Sequence, residues 1–340
     1  IQYYFIDNEY YFAGPRPYGN IYEDVEKFAF FSKAVLSALP VIGFQPDVIH
    51  CNDWQTALVP VYLNLFYRGE KKFRDLKTVL TIHNIQYQGK YGMEMVQDVL
   101  GLPQSATPIV EYDGCVNYMK GGIDQCNMIT TVSQTYAQEI LDPWYSHGLD
   151  RILKARQFKL MGILNGIDVE GYNPQTDSNL AAPFSSDDPS GKAEDKRALQ
   201  EEMGLPKQED VMLLGIVSRL ADHKGLDLVK YIGEEMFQEN LQLVVLGSGE
   251  YMFESFFEEM QRKYPEKVSF IKGFIPPLAR RIYAGADAFL MPSKSEPCGL
   301  AQMVALRYGT IPIVRSTGGL KDSIQDLGGN DGNGFTFQSY

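Results

Sequence analysis

Eight short runs rich in β-branched and apolar residues punctuate the chain: DVIHC (47–51), KTVLTIHN (77–84), NMITTVS (127–133), VMLLGIVS (211–218), LQLVVLGSG (241–249), KVSFIKGF (267–274), DAFLMPS (287–293) and TIPIVRS (310–316). Their apolar residues are continuous rather than alternating. A strand that is apolar on both sides must be covered on both sides, the condition of a parallel sheet held between helices. Stretches of helical character separate the runs, so the expected fold class is α/β and doubly wound. The opening IQYYFIDNEYYF is strand-like as well, and it starts without Met, as a fragment or a processed product would.

A chain of 340 residues suits two domains of about 150 to 200 residues each. The segment QTDSNLAAPFSSDDPSGKAEDKRA (175–198) is polar and rich in Asp, Ser and Pro. It is read as a mobile junction, with one sheet before about residue 165 and a second after about residue 205. The domains are therefore assigned as 1–165 and 166–340. No apolar run reaches the roughly 20 residues that cross a bilayer. The net charge of −12 argues against a general affinity for nucleic acid or for anionic membranes. Cys51, Cys115, Cys126 and Cys298 form no C-x-x-C pair, and the four histidines show no H-x-x-x-H spacing. Neither a disulfide framework nor a metal site is expected, and a reducing, cytoplasmic setting is.

The unusual residues follow the strand runs: CNDWQ, HNIQYQG, SRLADHKG, GSGE, SEPCGL and STGGL. In open parallel sheets, ligands bind beyond the carboxyl ends of the strands. In SRLADHKGLD, Arg219 and Lys224 leave a strand end five positions apart. A planar guanidinium fork and a compact ammonium could together hold a diphosphate; taken alone, a solvated loop with ordinary surface charges is the plainer reading. Glu296 precedes a helix expected to start near Cys298-Gly299-Leu300 and to end at Gly309. It could cap that helix or accept hydrogen bonds from sugar hydroxyls, and the first-turn amides could face an anion. Cys298 reads as a small packed residue. In STGGL, Thr317 and Gly318 mark a place where backbone can approach a phosphate. GSGE lacks the third glycine of a dinucleotide fingerprint, with Met252 in its place, so it reads as a turn and disfavours a dehydrogenase. His83 and Asp53 are candidates for chemistry, with a hydrogen-bonded structural histidine and a helix cap as the bland alternatives. Trp54 and the tyrosines, Tyr87 among them, could stack on sugar faces or fill core.

In order along the chain stand HNIQYQGKYG, TTVSQTYAQEI, GILNGIDVEGYNP, SRLADHKGLDL, PSKSEPCGLAQMVALRYGTIPIVRSTGGLKDSI and NGFTF. Together they resemble bacterial glycogen synthase and plant starch synthase, glycosyltransferase family 5, and the resemblance covers nearly the whole sequence. It implies a GT-B fold, two Rossmann-like domains facing across a cleft. It also implies retaining, metal-free transfer of glucose from ADP-glucose to the non-reducing 4-hydroxyl of an α-1,4-glucan, glycogen or starch, with no cofactor. By the same resemblance Arg219 and Lys224 hold the diphosphate, and Glu296 binds glucose hydroxyls. Cys298, Gly299, Leu300, Thr317 and Gly318 offer amides, and Phe274 packs on the adenine. His83 sits near the transferring glucose with Asn165 beside it, Asp53 lies on the acceptor side, and Tyr87 belongs to the substrate-binding set.

The sequence departs from the family pattern in places. Gln55 stands where many members have His, and Val304 where related retaining transferases carry a second Glu, with Gln302 nearby. The family's first strand with its K-x-G-G loop and its terminal crossover helix have no counterpart, so both expected domains are incomplete. A non-catalytic glucan-binding or regulatory protein of the same fold, or a transferase using UDP-glucose, are the competing expectations.

Overall fold

A computed structural model describes residues 1–14, 17–329 and 331–340, with Ile21 described by its backbone alone. The chain divides into two compact units, Ile1–Ile163 and Leu164–Tyr340.

The first unit is built on four parallel strands, β1 (Val48–Asn52), β2 (Lys77–Ile82), β3 (Met128–Thr131) and β4 (Leu160–Gly162), in spatial order β1-β2-β3-β4. Helix α1 (Ile21–Ala38) begins with a capping box, in which the Asn20 side chain accepts from backbone N–H groups and Glu23 answers in return. Helix α2 (Tyr118–Gln125) precedes β3. The inward residues Cys51, Leu80, Ile82 and Ile129 are fully buried. Two-sided cover holds for β2, where the consecutive Leu80, Thr81 and Ile82 are buried, and lapses at Val48 and Met128, which are 49% and 37% exposed. β1 is the edge strand of this sheet, with alternating burial. The strand expected at IQYYFIDNEYYF is absent too. Residues 1–8 are irregular, and Asn8 caps a short helix at Glu9–Phe12 by accepting from the Tyr11 N–H. Its aromatic residues follow one another without period-2 alternation, and no strand among the described residues pairs with them.

The second unit meets the two-sided condition. Six parallel strands, β5 (Met212–Val217), β6 (Leu241–Gly247), β7 (Val268–Lys272), β8 (Ala288–Met291), β9 (Ile311–Arg315) and β10 (Phe335–Phe337), stand in the order β7-β6-β5-β8-β9-β10. Helices α3 (Gly191–Glu202), α4 (Leu226–Met236), α5 (Tyr251–Lys263), α6 (Pro276–Gly285), α7 (Ala301–Arg307) and α8 (Gly318–Ser323) accompany them. Leu243 and Val245 of β6 join a cluster with Val229, Phe253 and Phe257 from α4 and α5. The alternate residues Val244 and Leu246 join another with Leu199, Leu278 and Ile282 from α3 and α6. Successive side chains point to opposite faces, so a continuous apolar run is what this doubly covered strand needs. The order reverses between β5 and β8, and at that point the following connections diverge and leave a crevice at the strand ends.

Residues 175–198 do not behave as a mobile junction. Asp177 accepts from Arg280 Nη1 at 3.0 Å and from the Tyr308 hydroxyl, and Asp195 accepts from the Ala181 N–H at 2.7 Å. Their polarity reflects anchoring charges within the second unit. Lys192 of α3 runs through the same region with its ammonium buried. It donates to Ala284 O at 2.7 Å, Tyr308 O at 3.0 Å and Thr310 Oγ1 at 2.7 Å, joining α3 to α6 and to the α7–β9 turn.

Burial pushes the Lys192 pKa down to about 8 from 10.5. Between those values the unfolded chain binds more protons than the folded one, so this lysine makes stability rise with pH. Relative to Lys192→Met, the native protein should gain stability from pH 7.5 to 10.5, by on the order of 3 kcal/mol. Urea denaturation of both proteins across that range checks it; parallel curves would refute it.

Candidate functional site

The crevice at the β5–β8 reversal is assembled from three turns. The first leaves β5 and carries Ser218, Arg219 and, in a 3₁₀ turn over Asp222–Lys224, the second cation. The second leaves β8 and runs through Pro292, Ser293 and Glu296 to the start of α7. The third leaves β9 and enters α8 at Thr317-Gly318.

Gly225 brings the first two into contact. It has φ +69°, and a Cβ there would lie 1.9 Å from Pro292 O. Only glycine fits that conformation and that approach. The contact is completed by the Lys294 N–H donating to His223 O at 2.9 Å. Lys294 Nζ reaches Asp222 Oδ1 at 2.6 Å and Asp227 Oδ2 at 3.3 Å, fastening the first turn from its outer side. The third turn presses on the second. A Cβ at Gly318 would stand 1.9 Å from Glu296 O, and the Gly319 N–H donates to that same oxygen at 3.1 Å. The glycines of STGGL therefore serve close packing against the Glu296 backbone, and the Gly319 amide is used within the protein.

Docking of these turns sets the central pair. Lys224 Nζ lies 3.0 Å from Oε1 and 2.7 Å from Oε2 of Glu296, and the Ser293 hydroxyl is 3.0 Å from Oε2. Glu296 is buried, 6% exposed. Its carboxylate is thus held by a cation and a hydroxyl. The hydrogen-bond partners of that carboxylate among the described residues are Lys224 and Ser293 rather than the first amides of α7, so capping is not what Glu296 does. Arg219 is exposed, with Nη2 3.5 Å from His223 Nε2. Burial pushes the His223 pKa down, and Lys224 and Arg219 add to that. Arg219, Lys224, Ser293, Glu296, Gly299 and Leu300 line one cavity of 190 Å³. α7 ends at Arg307, with Gly309 just beyond at φ +66°, close to the expected stop.

The other expected residues of this unit fall around that cavity or apart from it. The Cys298 thiol hydrogen-bonds with the backbone and side chain of Asn165, and burial pushes its pKa up. It is a packed, protonated thiol. Phe274 follows β7 and is 90% exposed, a bare aromatic face outside the cavity lining. The GSGE segment is a turn, with the Gly249 N–H donating to Glu254 Oε1 at 2.9 Å and Glu250 Oε1 accepting from the Asp222 N–H at 2.9 Å.

In the first unit Asp53 and His83 meet at the ends of β1 and β2. Asp53 Oδ1 accepts from the His83 N–H at 2.7 Å, and His83 Nε2 pairs with Asn52 Oδ1 at 2.9 Å. Asp53 has φ +56° and ψ −172°, a region open to glycine and strained for other residues by about 1–3 kcal/mol. Burial pushes its carboxyl above the ordinary carboxylate value, and the His83 amide opposes that rise. Tyr87 is half exposed and lines a separate cavity of 550 Å³ with Trp54, Gln88, Lys90 and His147. Asn165, expected beside His83, belongs to the second unit and lies against Cys298.

Ser293, Gly225 and Asn52 were not singled out from the sequence. Ser293 and Gly225 lie within the quoted motifs, but their roles come from partners far along the chain. Asn52 had a signal only in its place at a strand end beside Asp53.

Comparison with known proteins decides the family. The chain is 52% identical to the glycogen synthase of Geobacillus thermodenitrificans over 342 aligned residues, covering 99% of this chain and 70% of that protein. It belongs to the glycogen synthase family. The glycogen synthase of Lachnoclostridium phytofermentans is 49% identical, covering all of this chain and 72% of that protein. Residues 1–155 match the starch synthase catalytic domain model, and residues 196–340 match the model for glycosyl transferases group 1. Among solved structures, the catalytic domain of starch synthase IV from Arabidopsis thaliana, bound to ADP and acarbose, superposes with a TM-score of 0.86 at 36% identity. That match covers 95% of this chain and 68% of the plant one. A sucrose-phosphate synthase from Thermosynechococcus elongatus, at 18% identity and TM-score 0.59, shares the fold, over 96% of this chain and 69% of its own. As a member of the glycogen synthase family with GT-B neighbours, the chain is a glucosyltransferase. No helix among the described residues is long and apolar enough to cross a membrane.

Gly225→Ala tests the docking of the first two turns. The substitution should lower Tm by several degrees and weaken ADP binding at least tenfold, because the loop carrying Arg219 and Lys224 must withdraw from Pro292. Differential scanning fluorimetry and calorimetric titration with ADP read both; unchanged values would refute the role of this contact.

Proposed function

We propose that the chain transfers glucose from ADP-glucose to the non-reducing 4-hydroxyl of an α-1,4-glucan, glycogen or starch, with retention of configuration. The observation that carries this reading is the convergence of Arg219, Lys224 and Glu296 on one crevice at the strand-order reversal. The starch synthase IV neighbour, bound to ADP and acarbose, supports an adenine nucleotide as the donor's carrier.

Breaking a glucosyl–diphosphate bond leaves negative charge on the departing group and positive charge on the sugar. Arg219 and Lys224 are fixed cations that oppose the first, as preorganised donors do. Lys224 is neutralised by Glu296 in the free protein; an arriving phosphate shares the ammonium with the carboxylate, which accepts a sugar hydroxyl at its remaining open position. In this reading the amides of Cys298, Gly299, Leu300 and Gly318 and the Thr317 turn supply further donors, and Phe274 offers its face to adenine. Asp53, His83 and Tyr87 serve the sugar and acceptor, with Asn165 steadied against Cys298. The acceptor hydroxyl attacks on the face the diphosphate leaves, and the departing phosphate oxygen takes its proton. The cations required are side chains of the protein, so no resident cofactor is invoked. The four free cysteines support a reducing compartment such as the cytoplasm.

Initial rates of glucose incorporation into glycogen from ADP-glucose and UDP-glucose test the donor assignment; preference for UDP-glucose, or incorporation from neither, would overturn it. Arg219 and Lys224 should separate in stability. Arg219→Ala, at an exposed position, should cut turnover at least about 100-fold with Tm unchanged. Lys224→Ala should cut turnover similarly and also lower Tm, because it leaves a buried carboxylate without its counter-charge. Near-normal turnover in both variants would rule out the diphosphate role.

A further inference from the structure

We propose that Ser293 is a positioning residue for glucosyl transfer, fixing the orientation of the Glu296 carboxylate so that Oε1 is the oxygen presented to the donor's glucose. This rests on the sugar-binding role proposed above for Glu296.

A glutamate carboxylate turns easily about its last side-chain bond. The Lys224 ammonium, 3.0 Å from Oε1 and 2.7 Å from Oε2, lies close to both oxygens. A compact charge in that place holds the direction of the group but does little to fix the tilt of its plane. The Ser293 hydroxyl supplies a contact off that axis, 3.0 Å from Oε2 alone. Ser293 is 1% exposed, so its hydroxyl has no bulk water to bond instead. Its backbone is held in turn, because Pro292 packs on Gly225 and the Lys294 N–H bonds to His223 O.

The hydrogen bonds on the two oxygens are unequal. Oε2 meets Lys224 and Ser293, whereas Oε1 meets Lys224 alone among the described residues. Each carboxylate oxygen can accept about two hydrogen bonds, so Oε1 keeps the open position. Ser293, Glu296 and Lys224 all line the same cavity, so the open position belongs to a side chain of the cavity wall. A serine that only packed the loop would affect every donor alike; one that orients Glu296 affects the donor through a single hydroxyl.

The experiment compares kcat and KM for ADP-glucose with those for donors lacking, in turn, the 2-, 3-, 4- or 6-hydroxyl. The enzymes are the native protein, Ser293→Ala, Ser293→Thr and Glu296→Gln, with Tm and ADP affinity measured for each. In the native enzyme, removing the hydroxyl that Glu296 receives should lower kcat/KM by roughly 10- to 100-fold, as loss of a hydrogen bond to a charged group does. Ser293→Ala should slow ADP-glucose by about tenfold while scarcely changing that deoxy donor, so the penalty shrinks. Ser293→Thr should restore it, and ADP affinity should hold throughout. Should Ser293→Ala fail to fold, Ser293→Cys, of similar volume but a weak donor, carries the same comparison. If the serine variants keep the full penalty while Glu296→Gln loses it, the positioning role is overturned and the sugar role of Glu296 stands. If Glu296→Gln also keeps the full penalty, or the native enzyme shows none, the sugar role fails and the proposal with it.

Discussion

The ion pair between Lys224 and Glu296 joins residues 72 positions apart, and it forms only because two turns leaving adjacent parallel strands are brought back together. At a strand-order reversal the outgoing connections go to opposite faces of the sheet, which opens the crevice but also separates its walls. A glycine in the left-handed region closes the gap backbone to backbone, with Gly225 against Pro292. From that contact follow the reach of Lys224, the burial of Glu296 and the seat that Thr317-Gly318 takes against the Glu296 carbonyl. The crevice is therefore set by main-chain packing, and its charged side chains inherit their geometry from it.

The electrostatics follow the same order. Desolvating two unit charges costs several kcal/mol for each ion, and attraction repays that only with good geometry and satisfied hydrogen bonds. Lys224 and Glu296 meet those terms through short contacts and the added hydroxyl of Ser293. Without a ligand the pair is neutral, and the exposed Arg219 is left as the cation that first meets an anion. In a chain with a net charge of −12, one exposed guanidinium beside a neutralised pair gives the crevice a small cationic spot rather than a broad basic surface.

All eight apolar runs contain strands, and where a strand is covered on both faces its apolar residues run on unbroken, as Leu243 to Leu246 show by feeding two clusters in alternation. The three-residue strands Leu160–Gly162 and Phe335–Phe337 left no such trace; each is defined by the neighbour it pairs with. The aromatic opening has the composition of a strand, but composition does not supply a pairing partner, and residues 1–8 pair with no strand among the described residues. The segment 175–198 misled because polarity marks surface, while Asp177 and Asp195 turn it into an anchor. At the site, the types and places of Arg219, Lys224 and Glu296 could be read, since the motifs fall at strand ends. That Glu296 is held by Ser293 rather than capping a helix could not, because hydrogen bonds between loops depend on the register of strands the motif does not contain.

The backbone of Asp53 carries a consequence for how such an enzyme can change over time. Its φ of +56° and ψ of −172° suit glycine, and a single nucleotide separates the codons for aspartate and glycine. A screen for heat tolerance rewards relief of local strain, and here the easiest relief deletes the carboxylate that anchors the His83 amide. At this position relief of backbone strain and retention of the hydrogen bond to the His83 amide pull a lineage in opposite directions, so an aspartate retained in heat-adapted descendants would record selection for what that carboxylate holds in place.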